Sequence, residues 1–428
     1  MNKRYDRGLV GWLSLAQLIT WGSVFYLFAL VMEPIERELG LSRAQSSLAF
    51  SLALLAEGVL AYQVGRWIDH GHERLVMTTG SLWLGICLAL QSTVTSMAGF
   101  YAAWIGLGAG MAATLYTPVF AVVTRRFPGD FRRAIITMTF LGGLASTVFV
   151  PLIYGLISQF GWRHALWCLA AFQFLVCAPL HFHCLRDAPK PSPSPPAPPT
   201  LSSDAAGSGA GNKHPASLAR HLTSAPYLLI VVFTVLTMAI TVALPAHLIN
   251  LLREQGLGDG WAIAVPASIG VCQVVGRLML YFFERHFDVH TANRVIPCLI
   301  PVALVALLAV TATPHVTPHG ISGSTGLAGA PWLILLFVLL WGMGNGMLTI
   351  VKGTAIAEYV SRDNVAALNG AMGIPLALAR AAAPLGMGLL WSQQAGYTHG
   401  LWVLLAFSVV SIAALVLAQR LSVPASPR

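Results

Sequence analysis

Three charged side chains, Glu57, Lys352 and Arg380, lie deep within long apolar stretches. A charge in such a stretch is costly unless it meets a partner or a water-filled space. Each of the three brings its own chemistry. A carboxyl removed from water favours its protonated form, so Glu57 has the properties of a proton carrier, or of a neutral hydrogen-bonding residue between packed helices. The Arg380 guanidinium can hold an anion through two parallel hydrogen bonds. Lys352 offers a point charge. Asn345 and Thr349 precede Lys352 by seven and three residues and share its helix face. Lys352 also lies about ten residues before Arg362, close enough for its stem to carry the ammonium to the headgroups. At a helical rise of 1.5 Å per residue, Arg380 is about 22 Å into its segment and Glu57 about 13 Å into its own. Arg380 needs a ligand anion, Glu57 or a local structural partner at that depth.

The elements that position these residues must be membrane helices. The 428-residue chain is 56% hydrophobic and only 10% charged, with a mean hydropathy of +0.71. A soluble domain carries about 25% charged residues, so lipid must solvate most of this surface. The net charge of +9 is distributed between apolar segments and does not form one basic face or tail. That pattern excludes nucleic acid as a partner. The six cysteines, Cys87, Cys168, Cys177, Cys184, Cys272 and Cys298, fall within or beside apolar segments and read as small core hydrophobes. The apolar stretch behind Lys3, Arg4 and Arg7 is too long for a signal-peptide core and reads as a retained first span.

A span needs about 20 mostly apolar residues. This criterion predicts helices over 9–32, 46–66, 75–95, 98–124, 134–158 and 163–182, then 225–252, 260–283, 294–313, 331–357, 365–391 and 399–419. Between the two sets, 188–217 is rich in Pro, Ser, Gly and Ala and reads as a solvated linker. The expected fold is therefore an all-α membrane protein of twelve transmembrane helices in two pseudo-symmetric six-helix bundles, 1–187 and 218–428. With the N-terminus in the cytoplasm, 19 of the 25 Lys and Arg fall on the cytoplasmic side. Four (Arg37, Arg43, Arg163 and Arg253) fall on the far side, and Lys352 and Arg380 fall inside spans. The asymmetry predicts an inner-membrane, multi-pass protein with both termini and the linker cytoplasmic.

An internal repeat relates the halves. Gly106-Leu107-Gly108-Ala109-Gly110-Met111 in the fourth span matches Gly342-Met343-Gly344-Asn345-Gly346-Met347 in the tenth. Pro151 and Gly155 match Pro384 and Gly388, and Gln63, Gly65 and Arg66 match Gln273, Gly276 and Arg277. Aligned on these motifs, Lys352 stands opposite Tyr116, and Ser268 opposite Glu57.

Two six-helix halves joined by a cytoplasmic linker resemble the major facilitator superfamily. The loop after the second span reads Gly65-Arg66-Trp67-Ile68-Asp69-His70-Gly71-His72-Glu73-Arg74. It is similar to that family's Gly-x-x-x-Asp-Arg-x-Gly-x-Arg, with Gly65, Asp69 and Arg74 in place, His70 for the Arg and the second Gly one residue early. Phe160-Gly161-Trp162-Arg163 also looks like the family, and Gly40-Leu41-Ser42-Arg43-Ala44 resembles its monocarboxylate and oxalate carriers. The drug-antiporter signature of the fifth span is matched only at Pro151 and Gly155, with Ser146, Val150 and Tyr154 where glycines belong. The resemblance implies bundles that rock about a midplane site, lined by spans one, four, seven and ten. Those spans offer Gln17 and Trp21, Tyr116, the threonines Thr234, Thr237 and Thr241, and Asn345, Thr349 and Lys352. It also implies a gate at Gly65, Arg66, Asp69 and Arg74, with Asp69 meeting the start of the eleventh span.

The expected function is secondary transport of a small organic anion, with Lys352 and Arg380 as the only Lys or Arg within the spans and Glu57 coupling protons. The partners are that substrate, protons and the bilayer, and the working unit is a monomer. Export of a drug or toxic metabolite is the alternative, and a non-transporting sensor on the same scaffold is the second. No P-loop, Gly-x-Ser-x-Gly elbow or clustered catalytic set is present, so neither an enzyme nor a resident cofactor is expected. His181-Phe182-His183-Cys184 does not make a metal site, because residues two apart on a helix diverge.

Overall fold

The computed structural model describes residues 6–127, 130–186, 220–283, 289–312, 331–361 and 365–422. The 188–217 linker and the 314–330 loop lie outside the described residues, as does Arg362. The helices are α1 (Arg7–Leu39), α2 (Arg43–Asp69), α3 (Glu73–Ser92) and α4 (Met97–Arg126). The segment 131–184 is helical almost throughout, but about 50 residues rise far beyond one bilayer. Gly161, at φ 78°, breaks it into α5 (131–160) and α6 (162–184). The second half contains α7 (Ala225–Glu254), α8 (Asp259–Phe283), α9 (Val289–Ala312), α10 (Pro331–Tyr359), α11 (Val365–Leu389) and α12 (Thr398–Leu421). The described residues thus form twelve membrane-length helices and no strand.

Three local features matter for the site. α1 contains a π-helical turn at Trp21–Phe25, with Tyr26 N–H donating to Trp21 O at 3.3 Å. Such turns insert an extra residue and redirect the side chains around them. α4 breaks at Leu115, where ψ is −163°. Pro118 explains this break, since its ring clashes with the carbonyl four residues back, at Thr114, and it has no N–H to donate there. Gln17 Nε2 supplies the missing donor, bonding Thr114 O at 2.6 Å. Gln17 is fully buried, and it repairs the backbone at this break instead of lining a cavity. α2 begins with a Ser42–Gln45 capping box.

Helix packing rests on glycine. A Cβ on Gly108 would strike the backbone of Ala53, carbonyl oxygen first, so α4 lies directly on α2. Gly346 stands in the same relation to Gln273, so α10 lies on α8. These twin contacts, a device typical of membrane helices, fix the pseudo-symmetry. They also correct the register read from the motifs, which had set Gly346 against Gly110. Ala53 and Gln273 are equivalent, so Glu57 and Arg277, each one turn further on, are equivalent too. Ser268 is exposed and bonds its own helix at Ala264 O.

One apolar core draws only on residues from Tyr227 to Ala418. A second is built from Ala16–Leu180, with Val242, Ala246, Ile249, Ile263 and Ala381 reaching in from the other half.

Candidate functional site

A cavity of about 330 Å³ lies between the halves, with walls from α1, α2, α4, α5, α7, α8, α10 and α11. Of the residues expected at a site, Trp21, Glu57, Tyr116, Asn345 and Arg380 line it, and so does Thr241. Thr349 is exposed and bonds Asn345 O, Lys352 is half-buried off the wall, and Thr234 and Thr237 are buried elsewhere.

Arg380 Nη1 donates to Glu57 Oε1 at 2.8 Å, joining α11 to α2. The depth mismatch expected from the sequence shrinks because α2 continues to Asp69. Glu57 is then about 18 Å from that end, within an arginine's reach of Arg380. Oε2 of Glu57 is buried and has no partner among the described residues.

Arg277 also lines the cavity, which corrects its placement with the loop arginines and the expectation that Lys352 and Arg380 were the only basic residues within the spans. Its Nη1 donates to Thr139 O at 2.6 Å, while its Nε is buried without a partner among the described residues. Gly142 and Gly143 make room on α5, where a Cβ would meet the Tyr116 hydroxyl or Arg277 Nη1. One carboxylate against two guanidiniums leaves the wall with one net positive charge. The rest is largely aromatic. Trp21 and Tyr116 have ring centroids 4.9 Å apart, and Phe25, Tyr26 and Trp341 complete the wall.

The cavity is sealed at the end holding the α1–α2 turn. Arg253 Nη1 meets Glu33 Oε2 at 2.9 Å. Arg43 Nη1 donates to the Tyr397 hydroxyl at 3.0 Å, and its other nitrogens lie 3.4 Å from Glu254 and from Glu36. Asn250 Nδ2 donates to Ala29 O at 3.3 Å. Tyr397 is nearly fully buried, and its hydroxyl pKa is raised by that burial despite Arg43. At the opposite end the described residues form no ion pair between the halves. Asp69 is exposed there and touches no described partner on α11, whose preceding residues 362–364 are outside the described set. Arg66 is exposed, with its guanidinium 6.0 Å from the Tyr62 ring, and Gly65 faces open space. Arg74 Nε donates to Phe182 O at 2.8 Å. The sequence reading missed Glu73, which is fully buried and paired with Arg125 and Arg126 beneath this loop.

No curated protein matches this sequence. Among solved structures, the fold is similar to a bacterial homologue of the human lysosomal transporter Spinster. In its inward-facing, occupied form the TM-score is 0.72 at 16% identity, covering 98% of both chains. The unoccupied form gives 0.67 at 15% identity, over 97% of this chain and 98% of that one. The nucleoside transporter NupG gives 0.68 at 14% identity, over 96% of this chain and 99% of that one. The family model of the Major Facilitator Superfamily matches residues 13–323, and the chain belongs to that superfamily of transporters.

Proposed function

We propose that the chain is a secondary transporter that carries a small organic anion through the central cavity by alternating access, with Glu57 passing the coupled proton. The observation that carries the anion reading is Arg277, a cation of the cavity wall that has no carboxylate partner among the described residues. An uncompensated charge away from water costs several kcal/mol, and a bound anion offsets that cost. Glu57 neutralises Arg380 and leaves Arg277 as the cation that a substrate meets on this wall.

In this reading 1–187 and 218–428 are the two rocking halves and 188–217 is their cytoplasmic tether, in an inner-membrane protein with both termini inside. The sealed end is then the outer one, and the opposite end carries the gate of Gly65, Arg66, Asp69 and Arg74, with Asp69 meeting the start of α11 when that end closes. The aromatic wall supports a second reading, export of an amphipathic drug. A thermal-shift screen of the purified protein separates the two, since ligand binding raises apparent stability. The anion reading expects organic acids to stabilise the wild type and not Arg277→Gln. Stabilisation only by cationic drugs, nucleosides or sugars would refute it.

A further inference from the structure

The cavity's charge and lining narrow the substrate class beyond a generic anion. This inference rests on the anion reading above. We propose that the site selects a monoanion with a flat apolar body, the class of the aromatic monocarboxylates, with its carboxylate at Arg277 and its ring against Trp21 and Tyr116.

Charge decides between one and two carboxylates. With Glu57 ionised and bound to Arg380, Arg277 is left as the uncompensated charge among the lining residues, and one negative charge balances it. A dianion would need a second cation on the wall itself; Lys352 lies near enough to Arg277 for their charges to interact, but it does not line the cavity.

Hydrogen bonding points the same way. Three buried nitrogens on this wall have no partner among the described residues, Trp21 Nε1, Trp341 Nε1 and Arg277 Nε, against two such oxygens, Glu57 Oε2 and Ser146 Oγ. All three nitrogens can only donate. A carboxylate only accepts, so its oxygens suit these donors, whereas the hydrogens of a hydroxyl or ammonium head would find only Glu57 Oε2 and Ser146 Oγ to accept them.

The π-turn sets the shape of the ligand's body. That turn brings Trp21, Phe25 and Tyr26 from one stretch of α1 to the same wall. Tyr116 is held there by the break at Leu115 and stacks on Phe120 at 5.1 Å. Two local distortions of helical backbone thus present aromatic faces to one space beside the cation. Aromatic groups add binding through offset and edge-to-face contacts beyond the area they bury.

The test is equilibrium binding to the purified full-length protein by isothermal titration, using benzoate, acetate, oxalate, phthalate, benzyl alcohol and benzylamine. Benzoate should bind at least about tenfold more tightly than acetate, and more tightly than phthalate or oxalate, from ring burial and charge balance. Trp21→Leu should bring benzoate down toward acetate, and the wild-type ranking decides the matter if that variant does not fold. Acetate or a dianion binding more tightly than benzoate would overturn the aromatic-monoanion proposal and leave the anion reading standing. Binding of benzyl alcohol or benzylamine alone, or of none of the four anions, would overturn both.

Discussion

Glu57 presents its two oxygens to different surroundings, and its function follows from that difference. Oε1 accepts from Arg380, while Oε2 is buried at the cavity without a described partner. A proton can arrive at Oε2 with the Arg380 bond still in place. Glu57→Gln mimics that protonated form, so it should retain exchange of internal for external anion in proteoliposomes and lose accumulation driven by a pH gradient. Persistent gradient-driven accumulation would place the proton site elsewhere. The pair also makes a stability forecast. Arg380→Gln alone strands a buried carboxylate and should cost about 3–5 kcal/mol, seen as a lower melting temperature. Adding Glu57→Gln should recover most of the loss, and equal melting temperatures for the single and double variants would show that the pair contributes little. Both members were legible in the sequence because each interrupts an apolar run far from its ends. Arg277 was hidden because Gly276-Arg277 reads like the Gly65-Arg66 near the end of α2, and the match outweighed the span predicted over 260–283, which already held Arg277 nearly two turns inside as α8 does. Lys352 misled for the opposite reason, since its depth was evident but its helix face was not.

Backbone contact sets the architecture at the level of the helices. Twelve spans and their approximate ends were readable because length and hydropathy suffice to define them. The glycine repeats were equally visible, but sequence cannot tell which neighbour a glycine touches. In the structure Gly106 and Gly110 face α3 while Gly342 and Gly346 face α8, so the matched motifs use opposite faces. The close approach at Gly108 supports a direct comparison. Gly108→Ala forces a methyl into the Ala53 carbonyl and should destabilise by about 1–3 kcal/mol. Gly155→Ala meets nothing within 4 Å and should be neutral or stabilise by up to about 1 kcal/mol through helix propensity. Thermal unfolding of both variants checks the pair, and a Gly108→Ala protein as stable as wild type would contradict direct α2–α4 backbone packing. The π-turn in α1 had no sequence signature, whereas the kink in α4 was signalled by Pro118.

Across the whole molecule, one end is latched by ion pairs between the halves, and at the other the described residues form none. Arg43 is the hub of the latch, touching Glu36 of its own half and Glu254 and Tyr397 of the other. Arg43→Gln should therefore shift the population toward a form open at that end. With the six native cysteines replaced, Ile249→Cys on the cavity wall beneath the latch should react faster with an impermeant maleimide added outside whole cells when Arg43→Gln is also present. An unchanged rate would mean that Arg43 does not hold that end shut. The most direct test of the account is counterflow of radiolabelled acetate and benzoate in proteoliposomes, comparing wild type with Arg277→Gln and Arg277→Lys. Loss of a charge-assisted contact should lower exchange at limiting substrate at least about tenfold in Arg277→Gln. Arg277→Lys should stay well below wild type because an ammonium cannot reproduce the guanidinium fork. Wild-type exchange of either anion by Arg277→Gln, at unchanged half-saturation, would contradict the claim that this cavity carries anions on Arg277.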